Sequence, residues 1–192
     1  MTNVTIFGKG NMGTAIAGVL GQGGATVTHI GSEDTAATVT GDIVVLAVPH
    51  PAVDAIVAAY GAQLDGKIVV DITNPLDFAT FDSLVVPSDS SKAAEIAAQL
   101  SSATVLKAFN TNFAATLTSG TVGDAQPTTV LVAGDDADAK QILVDLVVAG
   151  GLQAVDAGAL KRARELEAIG FLQLTSAVGG SIGWTGGFAV VA

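Results

Sequence analysis

Residues 4–20 read VTIFGKGNMGTAIAGVL, and this stretch decides the fold. The β-branched run at its start predicts a buried strand over 4–7, and the alanine-rich window predicts a helix over 12–20. Between them lies a G-x-G-x-x-G motif made of Gly8, Lys9, Gly10, Asn11, Met12 and Gly13. With a strand before it and a helix after it, this motif predicts a dinucleotide-binding turn. Gly8 would allow the tight turn, Gly10 the approach of a pyrophosphate, and Gly13 close packing of the helix on the sheet.

Short apolar strands alternate with helical windows along the rest of the chain. Strands are predicted at 26–30, 43–48, 67–72, 105–109, 128–132 and 152–155, and helices at 51–64, 90–100, 137–148 and 160–177. Near-continuous apolar strands between helices predict an α/β protein with a doubly wound, mainly parallel Rossmann-type sheet. Only 11 residues separate the second and third strands, so the second strand is expected at or near a sheet edge. A Rossmann domain over 1–156 and a short helical C-terminal extension over 157–192 follow from this pattern.

Composition excludes several classes of function. Eighteen acidic residues against eight basic ones give a formal charge of −10, which predicts neither nucleic acid nor an anionic membrane as a partner. The chain has no cysteine, and its only histidines are His29 and His50, so no metal centre is expected. The most apolar stretch, 43–59, is interrupted by prolines and a charge, which argues against a membrane span. A strand right after Met1, without a basic region, predicts a cytoplasmic protein without a signal peptide.

The end of the second strand predicts which dinucleotide is bound. An NAD-binding turn usually has an acidic residue here for the ribose hydroxyls, whereas this chain has Gly31-Ser32-Glu33. The glycine and the hydroxyl of Ser32 favour a 2′-phosphate, although Glu33 would repel one, and Lys9 could offset that charge. We therefore expect NADP, with NAD as the open alternative.

Loops at the ends of the predicted parallel strands carry the other candidate site residues. Ligands bind at the carboxyl ends of strands in open α/β sheets. Asn74 and Asn110, in two of these loops, can donate and accept hydrogen bonds, which suits a carboxamide or a ring carbonyl. Both could instead tie the loops together. His50 could act as a proton donor, or it could only cap or position the helix that follows.

Several segments together resemble the small NADP-binding oxidoreductases typified by the deazaflavin (F-420)-dependent NADP reductases. They are GKGNMG at 8–13, GS at 31–32, VVLAVPHPAV at 44–53, VVDITNPL at 69–76, VLKAFNT at 105–111 and DAGALKRARELE at 156–167. The resemblance implies hydride transfer between a nicotinamide and a second ring stacked against it. The resemblance also implies that Gly10, Asn11 and Met12 hold the pyrophosphate and that Ser32 holds the 2′-phosphate. It implies that the path to the nicotinamide is lined by Val48, Pro49 and His50. The nicotinamide ring itself would be bordered by Asn74, Pro75, Ala108 and Phe109. In this family an arginine commonly follows the serine, where this chain has Glu33.

Two other functions fit the same N-terminal pattern. GNMGTAI also resembles the opening of pyrroline-carboxylate reductases, although those imine reductases have a longer helical dimerisation domain. A non-catalytic module that senses NADP(H) is the third possibility. The small-molecule hydride acceptor is not identified by the sequence. The apolar tail around Trp184 and Phe188 predicts a homodimer, with this segment covering the nicotinamide or the subunit contact.

Overall fold

A computed structural model describes residues 2–34 and 36–191 of the chain. Its strands are β1 (Asn3–Phe7), β2 (Thr26–Ile30), β3 (Ile43–Leu46), β4 (Ile68–Asp71), β5 (Thr104–Lys107), β6 (Thr121–Val122), β7 (Gln126–Pro127), β8 (Thr129–Gly134) and β9 (Gln153–Gly158). Its α-helices are α1 (Asn11–Gln22), α2 (Val53–Leu64), α3 (Lys92–Gln99), α4 (Ala114–Ser119), α5 (Ala137–Ala149) and α6 (Ala163–Val178). Short 3₁₀ turns, His50–Ala52 and Leu160–Arg162, precede α2 and α6.

The described residues fold around a seven-stranded sheet in the order β2-β1-β3-β4-β5-β8-β9. All neighbouring strands are parallel except β5 and β8, which are antiparallel. The chain leaves β1 toward β2 on one side and returns to β3 on the other, so the strand order reverses at β1. In register, Phe7 lies between Ile30 and Leu46. The carboxyl ends of β1, β2 and β3 therefore surround a crevice of the kind that binds ligands in open α/β sheets.

Helices cover both faces of the sheet because the central strands are apolar on both sides. In β3, Ile43 and Val45 contribute to one buried cluster, with Ile16 of α1 and Leu143 of α5. Val44 and Leu46 alternate with them and contribute to the other cluster, with Val57 of α2 and Ile96 of α3. Burying an aliphatic side chain of this size contributes about 1.5–3 kcal/mol. The residues on either side of the glycine-rich turn are in these clusters: Phe7 belongs to the second, and Met12 packs against the first.

The predicted architecture is confirmed: the fold is α/β, the sheet is mainly parallel, and a helical segment lies near the C-terminus. β2 lies at a sheet edge, as expected. The antiparallel direction of β8 was not predicted. The short helix α4 and the β6–β7 hairpin were not predicted either, since elements of two to six residues carry too little periodicity to detect. β9 runs two residues beyond the domain boundary predicted at 156. No helix within the described residues is long and apolar enough to cross a membrane.

Candidate functional site

The glycine-rich turn between β1 and α1 tolerates side chains unequally. Gly8 has φ of +111°, and a Cβ there would lie 2.2 Å from the carbonyl oxygen of Ala47. A Cβ at Gly13 would lie 2.6 Å from the carbonyl oxygen of Gly8. A Cβ at Gly10, in contrast, would meet no protein atom within 4 Å. Gly8 and Gly13 are therefore required by the fold itself, whereas the space in front of Gly10 is open to a ligand.

Helix α1 begins without a capping side chain. Its N-cap residue is Gly10, and the first intrahelical bond of this turn runs from the amide of Thr14 to the carbonyl of Gly10 at 2.9 Å. The amides of Asn11, Met12 and Gly13 precede that bond and have no partner within the helix. In contrast, α3 and α5 are capped by the side chains of Ser91 and Asp136. Among the described residues no acceptor is bonded to these three amides, and free amides at the positive end of a helix dipole favour an anionic ligand.

A groove of about 660 Å³ extends from this turn across the ends of β2 and β3 to α2. Its lining combines the turn with a mostly apolar wall: Phe7, Gly8, Lys9, Gly10, Ile30, Gly31, Ser32, Glu33, Asp34, Ala47, Val48, Pro49, Ala52, Ala55, Ile56, Ala59 and Tyr60. The ring of Tyr60 packs edge-on against Phe7 with centroids 4.9 Å apart, and its hydroxyl donates to the carbonyl of Asp34 at 3.1 Å. An apolar slot beside unpaired amides has the shape and chemistry to hold an adenosine with its phosphates.

An ion cluster lies on the rim of this groove. Lys9 Nζ donates to Glu33 Oε1 at 2.6 Å and to Asp34 Oδ2 at 2.9 Å. Hydrogen bonds to these carboxylates, first to Glu33, raise the pKa of Lys9, and the bond from Lys9 lowers the pKa of Glu33. The Gly31 amide, 2.8 Å away, is the main cause of the lowered pKa of Asp34. One cation between two anions leaves this rim with a net charge of −1, next to the exposed Ser32.

A second cavity, of about 380 Å³, lies on the other side of the turn. It is lined by the start of α1, the loops after β4 and β5, α6 and the C-terminal tail: Asn11, Met12, Ile72, Asn74, Phe109, Asn110, Asn112, Phe113, Ala114, Ala115, Gly170, Leu174 and Trp184. Of these described residues, none has a titratable side chain. Trp184 packs against Phe113 with ring centroids 5.0 Å apart. The described lining of this cavity therefore offers amide groups and apolar surface, and it contains no titratable group that could give a proton to a substrate.

The predicted asparagines come together at this second cavity. Asn74 Nδ2 donates to the carbonyl of Asn110, and Asn110 Nδ2 donates to Asn74 Oδ1, both at 2.8 Å. The two loops are thus tied together while both residues line the cavity. Gly170 of α6 makes room for the pair, since a Cβ there would lie 2.2 Å from Asn74 Oδ1. Gly170 was not predicted as a site residue, because a glycine inside a helical pattern has no local signal for what it faces.

Phe109, two residues after β5, has a backbone φ of +61° although it is not glycine. Its side chain is fully buried in the core and also borders the second cavity. A positive φ costs of order 1–3 kcal/mol for such a residue and persists where packing fixes it. Pro75 and Ala108, also predicted to border a nicotinamide, are buried neighbours of Asn74 and Phe109 rather than lining residues.

A fully buried ion cluster lies in the same loops. Lys107 Nζ donates to Asp71 Oδ2 at 2.7 Å, to Glu167 Oε1 at 2.8 Å and to the carbonyl of Thr73. Glu167 also accepts hydrogen bonds from the amides of Lys92 and Ala93 at the start of α3. Burial raises the pKa of Glu167, while the charge of Lys107 opposes that rise. The cluster joins β4, β5, α3 and α6, and through Thr73 it fixes the loop that carries Asn74.

His50 starts the 3₁₀ turn after β3 and lines neither cavity. Burial, followed by the positive charge of Lys92, lowers its pKa and so favours the neutral form of the ring. Lys92 itself is paired with Asp54 at 2.7 Å and with Glu95 at 3.1 Å. His50 Nδ1 has no hydrogen-bond partner among the described residues. A catalytic role for His50 stays a prediction that this geometry does not support.

Comparisons with known proteins agree with this architecture. Residues 25–75 match the family described as NADP oxidoreductase coenzyme F420-dependent. The F420-dependent NADP reductase of Methanocaldococcus jannaschii is 33% identical over 155 residues, which cover 79% of this chain and 69% of that protein. The crystal structure of a proposed F420-dependent NADP reductase from Arthrobacter sp. fb24 superposes with a TM-score of 0.84 at 25% identity, covering 100% of both chains. An imine reductase from Myxococcus stipitatus shares the fold, with a TM-score of 0.61 at 19% identity over 94% of this chain and 63% of that chain.

A Rossmann sheet, a glycine turn with unpaired amides and these relatives define an NAD(P)-dependent oxidoreductase. More narrowly, the chain belongs to the coenzyme F420-dependent NADP oxidoreductase family.

Proposed function

We propose that this protein transfers a hydride between NADP(H) and a flavin-like or deazaflavin ring. The observation that carries the proposal is the continuity of the glycine turn: residues 8–10 line the large groove, and Asn11 and Met12 line the second cavity. A dinucleotide whose pyrophosphate lies on the amides of α1 would have its adenosine in the groove and its nicotinamide at the second cavity. The name of the Methanocaldococcus relative supports a deazaflavin as the second ring.

The residues that would hold the cofactor follow from this arrangement. Gly8, Gly10 and the amides of residues 11–13 would bind the pyrophosphate, and Val48 and Pro49 would contact the adenosine. Lys9 and Ser32 would meet the 2′-phosphate of NADP. For this to happen Lys9 must exchange a carboxylate partner for the phosphate, and NAD is the alternative cofactor if the pair with Glu33 persists. A bound nicotinamide supplies the hydride, and this chain supplies orientation and exclusion of water.

The lining of the second cavity favours ring-to-ring transfer over imine reduction. Reduction of an imine gains from a proton donor held beside the nitrogen, and none of the described lining residues can titrate. The matched imine reductase is also longer, since this chain spans 63% of it. Hydride transfer between two rings mainly requires close, dry stacking, which amides and aromatic residues can provide.

We also propose a homodimer in which a second copy covers α6 and the tail. Leu172, Val178, Trp184 and Phe188 are all about half exposed. The tail folds back on α6, since the amide of Phe188 donates to Gln173 Oε1 at 2.8 Å, and all four side chains lie on α6 or on this tail. In this proposal, residues 157–192 complete the site that residues 1–156 begin. Light scattering on the purified chain would give the mass of a dimer, and a monomer would contradict the proposal.

The hydride acceptor is tested by NADPH oxidation against a panel of F-420, FMN, FAD, quinones and cyclic imines. We expect turnover with F-420 or a flavin, and a kcat/KM for NADPH above that for NADH. Turnover with the cyclic imines alone would favour the imine reductase. Tight NADPH binding without turnover of any acceptor would favour a sensor of NADP(H).

A further inference from the structure

Two asparagines of the second cavity keep a carbonyl oxygen without a hydrogen-bond partner among the described residues. They are Asn110 and Asn112, which are 4% and 8% exposed. A buried acceptor that stays unpaired costs about 1–3 kcal/mol. Two of them on residues that line one cavity indicate a ligand that satisfies them. Asn112 was not among the residues predicted from the sequence.

The neighbouring hydrogen bonds fix which end of each amide is free. Asn112 Nδ2 donates to the carbonyl of Thr129 at 3.0 Å. Asn110 Nδ2 donates to the carbonyl of Leu166 and to Asn74 Oδ1, both at 2.8 Å. Rotating either amide by half a turn would set its oxygen against another oxygen. The unsatisfied atoms are therefore acceptors, and the group that satisfies them must be a donor.

We propose that Asn112 Oδ1, together with Asn110 Oδ1, accepts hydrogen bonds from an N–H group of the ligand in this cavity and so selects that ligand. The inference rests on the proposed function and adds the chemical feature that is recognised. Two groups share this chemistry: the carboxamide of the nicotinamide, and the imide N–H of a flavin or deazaflavin ring. If the donor is the imide of the acceptor ring, a quinone, which has no N–H group, leaves both oxygens buried and unpaired. In that case the cavity selects against quinones although they accept hydride.

The test compares ligands that differ only in this donor. The first pair is the flavin or deazaflavin acceptor and its derivative methylated at the imide nitrogen. The second pair is NADPH and its 3-acetylpyridine analogue, in which a methyl ketone replaces the carboxamide. Each pair is measured with the wild-type protein, with Asn112→Leu and with Asn112→Ser, which shortens the side chain without adding bulk. Leu174→Ala is the matched control, because it changes another side chain that lines the same cavity and makes none of these hydrogen bonds.

We expect the wild type to prefer the N–H ligand of at least one pair by roughly tenfold to a hundredfold in kcat/KM or affinity. The preference should be lost in both Asn112 variants and kept in Leu174→Ala. If the Asn112 variants lose the preference between the acceptor and its methylated derivative, the imide is the donor. If they lose the preference between NADPH and its acetylpyridine analogue, the carboxamide is the donor. A wild type that discriminates in neither pair, or Asn112 variants that keep the discrimination, would overturn the proposal. If no ring acceptor is turned over, the proposed function fails. Titrations with NADPH and its acetylpyridine analogue still show whether Asn112 recognises the carboxamide.

Discussion

Replacing Gly10 by valine should remove dinucleotide binding without removing the fold. A Cβ at this position meets no protein atom within 4 Å, and φ is −76°, a value that valine adopts readily. Valine is a poorer N-cap than glycine, so we expect a stability loss of about 1 kcal/mol or less. The branched side chain would fill the space that a pyrophosphate needs to reach the amides of α1. Losing one or two charge-assisted hydrogen bonds, worth about 1.5–3 kcal/mol each, predicts at least tenfold weaker binding.

Calorimetric titration with NADPH measures the affinity, and thermal unfolding with and without NADPH measures the linked stabilisation. Gly18→Val is the control, because Gly18 also has open space and lies on the exposed side of α1, away from the turn. Gly13→Val is the opposite control, since its side chain would collide with the backbone of Gly8 and unfold the protein. If Gly10→Val binds NADPH as tightly as the wild type, the pyrophosphate does not lie on this turn.

Four other predictions test the remaining parts of the structure. Glu33→Arg should raise the ratio of NADP to NAD affinity by roughly tenfold or more, because it replaces a repelling carboxylate by a bidentate donor; an unchanged ratio in competition titrations would place the 2′-phosphate elsewhere. Lys107→Met should lower the free energy of unfolding, measured with urea, by about 3–5 kcal/mol, because it leaves buried carboxylates without their cation. Lys140→Met should lower it clearly less, because the carboxylate partner of Lys140 is 56% exposed; equal losses in the two variants would contradict this. Because burial raises the pKa of Glu167, the wild-type free energy of unfolding should fall as the pH rises from the ordinary carboxyl pKa through the raised pKa. Glu167→Gln removes this titrating group and should flatten that dependence; parallel profiles of stability against pH in the two proteins would refute it. Trp184→Ala should lower acceptor kcat/KM roughly tenfold by opening the second cavity and leave NADPH affinity unchanged; a matching loss of NADPH affinity would show that the tail acts on the cofactor.

The glycine turn could be predicted because its physics is local. Strand, turn and helix follow one another within 17 residues, and each glycine has a reason that depends on its immediate neighbours. The edge position of β2 was also predictable, since the short connection to β3 limits what can lie between them. In the same way, the residues predicted to form a site follow β3, β4 and β5 and lie at one edge of the sheet, because parallel strands all end at the same edge.

The buried ion cluster needed information that no single segment contains. A partial signal was present, since Asp71 and Lys107 each end an otherwise apolar strand, where a charge must find a partner. In the sheet these two residues are register neighbours on β4 and β5. Pairing the predicted strands would therefore have brought them together. Glu167 lies 60 residues further along, on a helix whose docking depends on Gly170, and only the assembled fold shows that contact.

An acidic protein that binds a dinucleotide must attract phosphate over short distances. The net charge of −10 repels such a ligand at long range, and most lysines are already used within the protein: Lys92, Lys107 and Lys140 pair with carboxylates, and Lys67 donates to the carbonyl of Gly41. What remains at the groove is Lys9, itself held by two carboxylates, and the unpaired amides of α1. Backbone amides carry no net charge that distant carboxylates could neutralise. For this reason we expect the glycines that expose those amides, rather than any cationic patch, to determine where the cofactor binds.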